Sequence, residues 1–223
     1  QGTADAPSWQ RRGFARVAAP RLRHVNDTVS APAATPSVPL AKLLAHAADT
    51  LAAVNAGRSL DAAMASLPAD ARPGVQALAF HALRWLGSAR WVRKRLVPRA
   101  PPPHVDALLS CALALLWPAG PPPYRDHVLV DQAVRAARLR RGGDSAGFVN
   151  AVLRRFLRER EALMAALPAD DAVQLNHPAW WVQRLRQDWP AQWPALLAAD
   201  QLHPPLTLRV NARRGSVAAF LER

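Results

Sequence analysis

Residues 105–117, VDALLSCALALLW, offer water almost nothing. Apart from Asp106 and Ser110, every side chain is apolar. A helix over this span has no face that solvent would accept, so it must lie at the centre of a bundle. It is also well short of the ~18 apolar residues that a bilayer-spanning helix needs. Proline-rich breaks at 98–103 and 118–123 delimit it on both sides. Whatever else the chain does, it must supply enough amphipathic helices to cover this one.

The flanking sequence supplies them. Leu40, Leu43, Leu44, Ala47, Leu51 and Val54 recur at i, i+3, i+4, i+7 spacing, and Gly57 stands where a C-terminal cap would. Ser59 can cap a short second helix carrying Leu60, Met64 and Leu67. Asp70 can cap a third, with Val75, Leu78, Ala82 and Leu86 as its stripe and Trp85 on the flank. Gly87 is expected to break it before a basic turn, WVRKRLV. Residues 126–139 place Val130, Ala133, Val134 and Ala137 on one side of a helix and Asp131, Arg135 and Arg138 on the other. Ser145 can cap a further helix running to about Leu167. The fold class expected is therefore all-α, a bundle of six or seven helices.

Outside 40–167 the pattern changes. Residues 1–39 are rich in Pro, Ala and Ser, lack periodicity and read as a disordered leader. From 168 a polar connector leads to Pro178 and Pro190, each suited to a first helical turn. Residues 204–210, PPLTLRV, alternate like a strand, and a last helix can start at Ser216. A lone strand has no partner for its backbone groups. Residues 168–223 are thus expected to be the truncated, α/β start of another domain.

The formal net charge is +13, and it is not spread evenly. Residues 41–160 carry eighteen basic against eight acidic side chains, whereas 161–223 carry six of each. Only Lys42 and Lys94 are lysine and isoleucine is absent, a bias that accounts for arginine over lysine but not for base over acid. A basic block of this kind is the footprint of a polyanion binder, and solvated helix faces are the bland alternative. Three clusters are candidate RNA-binding residues: Arg90, Arg93, Lys94 and Arg95; Arg135, Arg138, Arg140 and Arg141; and Arg154, Arg155 and Arg158. A single cysteine excludes an intrachain disulfide and makes the cytoplasm the default. No apolar block implies a membrane partner.

The stretch GGDSAGFVNAVLRRF (142–156) opens like a phosphate loop. Phe148 and Val149, however, stand where a Walker loop needs Lys and Ser/Thr, and the segment follows a helix, not a strand. On a helical wheel Phe148, Val149, Val152, Leu153, Phe156 and Leu157 share one face and Arg154, Arg155 and Arg158 the opposite one. Gly147 would let another helix approach, and Asn150 at the boundary could hold a neighbouring loop or helix end.

These residues carry a resemblance. DSAGFVNAVLRRF is similar to the closing signature of the NusB-type RNA-binding fold, and the preceding elements, including VLVDQAVRAAR, fit it. NHPAWWVQRL (176–185) and PPLTLRVN (204–211) resemble the start of the methyltransferase part of RsmB (Sun or Fmu) proteins. Those are rRNA cytosine-C5 methyltransferases with a NusB-like N-terminal domain. The resemblance covers roughly residues 40–223. It implies a NusB-like domain over 40–167, small-subunit (16S) rRNA as partner, and S-adenosylmethionine as cofactor of the full-length protein. Family chemistry adds a cysteine thiolate to cytosine C6, and that requires an exposed, activated thiol. Here Cys111 sits among Leu and Ala and reads as core. Catalytic, cofactor-binding and metal-ligating residues are therefore expected to be none in this chain, which should transfer no methyl group alone and should partner a catalytic domain beyond Arg223. A stand-alone antitermination-type adaptor and a helical interaction module are the rival readings. Trp180 and Trp181 could pack or could stack on bases, Asp170 and Asp171 read as a solvated linker pair, and Arg209 and Asn211 match the family's RVN segment.

Overall fold

The computed structural model describes residues 38–117, 123–140, 145–168, 171–202 and 209–222. Among them it is helical and contains no strand. The helices are α1 (Leu40–Asn55), α2 (Leu60–Met64), α3 (Arg72–Arg84), α4 (Leu86–Leu96), α5 (Pro103–Leu115), α6 (Asp126–Arg138), α7 (Ser145–Ala165), α8 (Asp171–Gln174), α9 (Ala179–Asp188), α10 (Trp193–Asp200) and α11 (Val217–Leu221). The leader expected over 1–39 lies outside the described residues except for its last two. The strand expected at 204–210 also lies outside them, except for Arg209 and Val210, which are not in a strand.

α5 is the hub. Val105 and every residue from Ala107 to Leu115 are buried, and α1, α3, α4, α6 and α7 pack around it. α1 contributes Leu44, Ala47 and Leu51, α3 Val75 and Leu78, α6 Leu129 and Ala133, and α7 Val149, Leu153 and Phe156 to the same core. α3 comes close to the Leu43 side chain of α1 at one glycine. A Cβ on Gly74 of α3 would stand 2.8 Å from Leu43 Cδ1, whereas a Cβ on Gly147 would meet nothing within 4 Å. The close approach expected at Gly147 is therefore absent, because that residue is exposed.

Local signals at the helix ends divide. Ser59 Oγ accepts from Ala62 N, and Ser216 Oγ from Ala219 N, as capping predicts. Gly57, at φ +91°, ends α1 in the left-handed region that glycine tolerates. Asp70 does not cap α3. Its N-cap is Ala71, with Pro73 in the first turn. Gly87 does not break a helix either. The break falls at Trp85, Gly87 lies inside α4, and the expected basic turn is a full helix. Packing outweighs the glycine there, since Ser88, Ala89, Val92 and Leu96 all face inward. Pro190 lies in a turn, and Pro194 occupies the first turn of α10 instead.

The inward stripe of α4 also claims a cation. Arg93 falls in line with Ala89, Val92 and Leu96 and is only 7% exposed. Its Nε lies 2.7 Å from Asp106 Oδ1 on α5, and its Nη1 donates to Val97 O. The expectation that Arg93 is an RNA-binding surface residue is corrected: its guanidinium ties α4 to α5.

The connector docks on α4. Asn176, at φ +55°, accepts from the Ser88 backbone N–H at 2.7 Å through Oδ1, and Ser88 Oγ donates to Val173 O. The amide thereby satisfies a donor in the first turn of α4 that the helix itself leaves open. α9 and α10 then build a small second core from Val182, Leu185 and Leu197, with Trp181 and Trp193 against it.

Two substitutions check this account in denaturant melts. Leu115→Ala removes a side chain from the centre of the hub and is expected to cost about 2–5 kcal/mol. Arg93→Ala leaves the Asp106 carboxylate without its partner and is expected to cost about 2–4 kcal/mol. A neutral result at Leu115 contradicts the central position of α5, and one at Arg93 contradicts the buried tie.

Candidate nucleic-acid interface

Proline at 98, 101 and 102 denies the loop after α4 backbone donors and fixes φ at those positions, so it continues neither α4 nor α5 and forms a strap between them. Opposite it lie the C-terminal end of α6 and the first three turns of α7. Between them is an open groove of about 1100 Å³. Leu96, Val97, Pro98, Pro101, Val105 and Val152 give it an apolar floor. Arg99, Arg140 and Arg155 supply cations, and Phe148 lines the groove while remaining 39% exposed.

Each cation is held by a different element. Arg140, just past α6, pairs with Asp49 of α1. Arg155 Nε donates to Glu159 Oε1 at 2.9 Å, and its Nη1 donates across to Leu96 O at the end of α4. The Glu159 carboxylate, by hydrogen bond and charge, pushes the Arg155 guanidinium further above its ordinary range; like any arginine it stays charged. Arg99 comes from the strap itself. These exposed pairs are worth little to stability. Their effect is to aim the guanidinium groups.

The structure brings only part of the expected clusters together. Arg140 and Arg155 share the groove, and Arg99, Phe148 and His104 join them without having been expected there. A smaller hollow of about 250 Å³ between α4 and α7 adds Arg95 beside Arg155. The Arg95 guanidinium lies 5.5 Å from the centre of the Trp91 ring. Arg90, Lys94, Arg135, Arg138, Arg154 and Arg158 are exposed but do not line the groove. Arg90 donates to Asn55, Arg135 pairs with Asp131, and Arg154 donates to Asn150 on its own helix rather than Asn150 holding a neighbour. Arg141 lies outside the described residues. Phe148 was legible as a member of the apolar face of α7. Its departure into the groove depends on the strap leaving that flank open.

Cys111 is fully buried, and burial pushes its thiol up to about 12, far from the activated range that covalent catalysis needs. Among the described residues no group of three or more His, Cys, Asp or Glu side chains could hold a metal ion, and no helix is long and apolar enough to cross a membrane. Trp181 packs into the small core of α9 and α10, whereas Trp180 is 69% exposed. Arg209 is exposed, and Asn211 Oδ1 accepts from Arg213 N in a turn.

Comparison with known proteins gives two family matches. The NusB family matches residues 42–158. The "Methyltr_RsmF/B-like, ferredoxin-like domain" matches residues 177–223. Among curated relatives, the ribosomal RNA small subunit methyltransferase B of Pseudomonas putida is 36% identical over 183 residues, covering 78% of this chain and 41% of the relative. That of Pseudomonas syringae pv. tomato is 34% identical, over 79% of this chain and 40% of the relative. A probable methyltransferase of the same name from Coxiella burnetii is 30% identical, over 66% of this chain and 34% of the relative. The chain thus spans well under half the length of these relatives. Because the NusB match takes in more than half of the sequence, the chain belongs to the NusB family, joined here to an RsmF/B-like ferredoxin-like segment in the pairing expected from its resemblance to RsmB proteins.

Proposed function

We propose that this chain is the RNA-binding N-terminal region of an S-adenosylmethionine-dependent 16S rRNA (cytosine-C5) methyltransferase. In this reading residues 40–167 hold the RNA, and 168–223 connect them to a catalytic domain carried by a longer protein. The observation that carries the RNA assignment is the groove. Its apolar floor and half-exposed phenyl ring can take unstacked bases, and the guanidinium groups of Arg99, Arg140 and Arg155 can take phosphates. The remaining exposed arginines and Lys94 extend the field that attracts and orients the strand. The methyl-transfer assignment rests on the names of the relatives and on the match over 177–223.

S-adenosylmethionine supplies the methyl group in such chemistry, and an exposed thiolate would have to add to the cytosine; this chain presents none. Its one thiol is sealed in the core with its pKa raised, so no step is assigned to Cys111. The cytoplasm is the compartment this function requires. The rival, a stand-alone antitermination-type adaptor, would use the same groove, but it leaves the RsmF/B-like match without a role.

The reading predicts how binding of 16S rRNA fragments responds to salt and mutation. Affinity should fall steeply with salt, because bound phosphates release counterions. Arg140→Glu and Arg155→Glu should each weaken binding and lower the log–log salt slope by about 1. Phe148→Ala should cost about 1–3 kcal/mol with the slope unchanged, since stacking involves no counterion. Titrations that are flat with salt, or in which all three variants match the unaltered chain, would show that the groove is not an RNA platform.

A further inference from the structure

α9 carries a stripe that the groove does not explain. Trp180, Gln183, Arg184 and Gln187 fall at i, i+3, i+4 and i+7, the spacing that normally marks a helix's buried side. Here the buried side is Val182 and Leu185, and the four residues look outward. Together with Trp181 they line a shallow hollow of about 620 Å³. Trp181 is anchored in the core below, and its ring meets that of Trp180 edge-on, with centroids 5.6 Å apart and planes at 66°. The exposed indole is therefore buttressed, at little further ordering cost to a ligand that lies on it. Arg184 Nε donates to Asp188 Oδ2 at 2.7 Å, which aligns the guanidinium along the same stripe.

The chemistry of the hollow selects among ligands. It holds two indoles, two amides and one guanidinium, with no aliphatic side chain in its lining; the neighbouring carboxylate of Asp188 is paired with that guanidinium. Trp and Arg also mark the centres of protein-docking faces; the two amides beside the indole favour a base over such a partner. An aromatic plate flanked by amides that both donate and accept, with a cation one turn away, matches an unstacked nucleobase and its phosphate. We infer that Trp180 is a second RNA contact, a stacking platform for one base of a single-stranded segment, with Gln183 and Gln187 on the base edge and Arg184 on the phosphate. This rests on the proposed RNA-binding function and adds a site separate from the groove.

The test uses the full chain, a short single-stranded oligouridylate, and the same strand with its bases removed. Trp180→Ala should weaken binding of the oligouridylate roughly tenfold, Trp180→Phe should retain most of the affinity, and the abasic strand should bind both variants like the unaltered chain. Because Trp180 is mostly exposed, thermal melts of both variants should match that of the unaltered chain. Arg155→Glu serves as the groove control. If Trp180→Ala binds the oligouridylate normally while Arg155→Glu is weakened, the groove stands and the platform falls, leaving the stripe as a protein-docking face. If Trp180→Ala loses affinity equally for both strands, the indole does not stack on a base and the inference is wrong. If neither variant changes binding, the RNA assignment fails and the platform with it.

Discussion

The bundle of α1 and α3–α7 is arranged by the need to cover α5. A helix that is apolar all round cannot stop at one neighbour, and five helices close on it. That demand fixes where the bundle can open. α5 shows solvent only its first turn, around Pro103 and His104, and there the proline strap, the end of α6 and α7 line the groove. The candidate interface is thus a by-product of the core: its floor is the outer layer of the bundle and its walls are elements that could not be packed further.

The charge follows the same logic. A net charge of +13 does not mean thirteen free cations. The fold spends Arg93 inside, on the α4–α5 tie, and holds Arg160 against Asp126 with its guanidinium 5.4 Å from the centre of the Phe156 ring. Several others have carboxylate or amide partners on the surface, with Arg135, Arg140 and Arg155 among them. Such exposed pairs contribute little stability, but each restricts where a long side chain can point. At the groove, Arg140 just past α6 and Arg155 on α7 are aimed by such tethers, and Arg99 comes from the strap.

Much of the fold was legible because helical periodicity reports burial directly. The stripes of α1, α6 and α7 and the all-round burial of α5 follow from spacing alone, and the caps at Ser59 and Ser216 follow from residue type. What was not legible depends on neighbours distant in sequence. Arg93 reads as one more cation in RWVRKR until Asp106, on the next helix, is brought opposite it. Gly87 reads as a breaker until the inward stripe of α4 overrides it. Gly147 and Gly74 cannot be ranked without knowing which helix lies across from each. Arg99 and Phe148 belong to the site only because the strap leaves a flank of α7 uncovered, and no local pattern encodes that. Cys111, by contrast, was readable as core from its apolar neighbours.

The central claim is that RNA lies in the groove between the strap and α7. Photo-crosslinking of the intact chain to a 16S rRNA fragment carrying photoreactive uridines, followed by mass spectrometry of the crosslinked peptides, tests it most directly. The account predicts adducts on the peptides that hold Arg99 and Phe148, lost when salt is raised enough to dissociate the complex. Adducts confined to α1–α3, or scattered evenly over every exposed arginine, would contradict it.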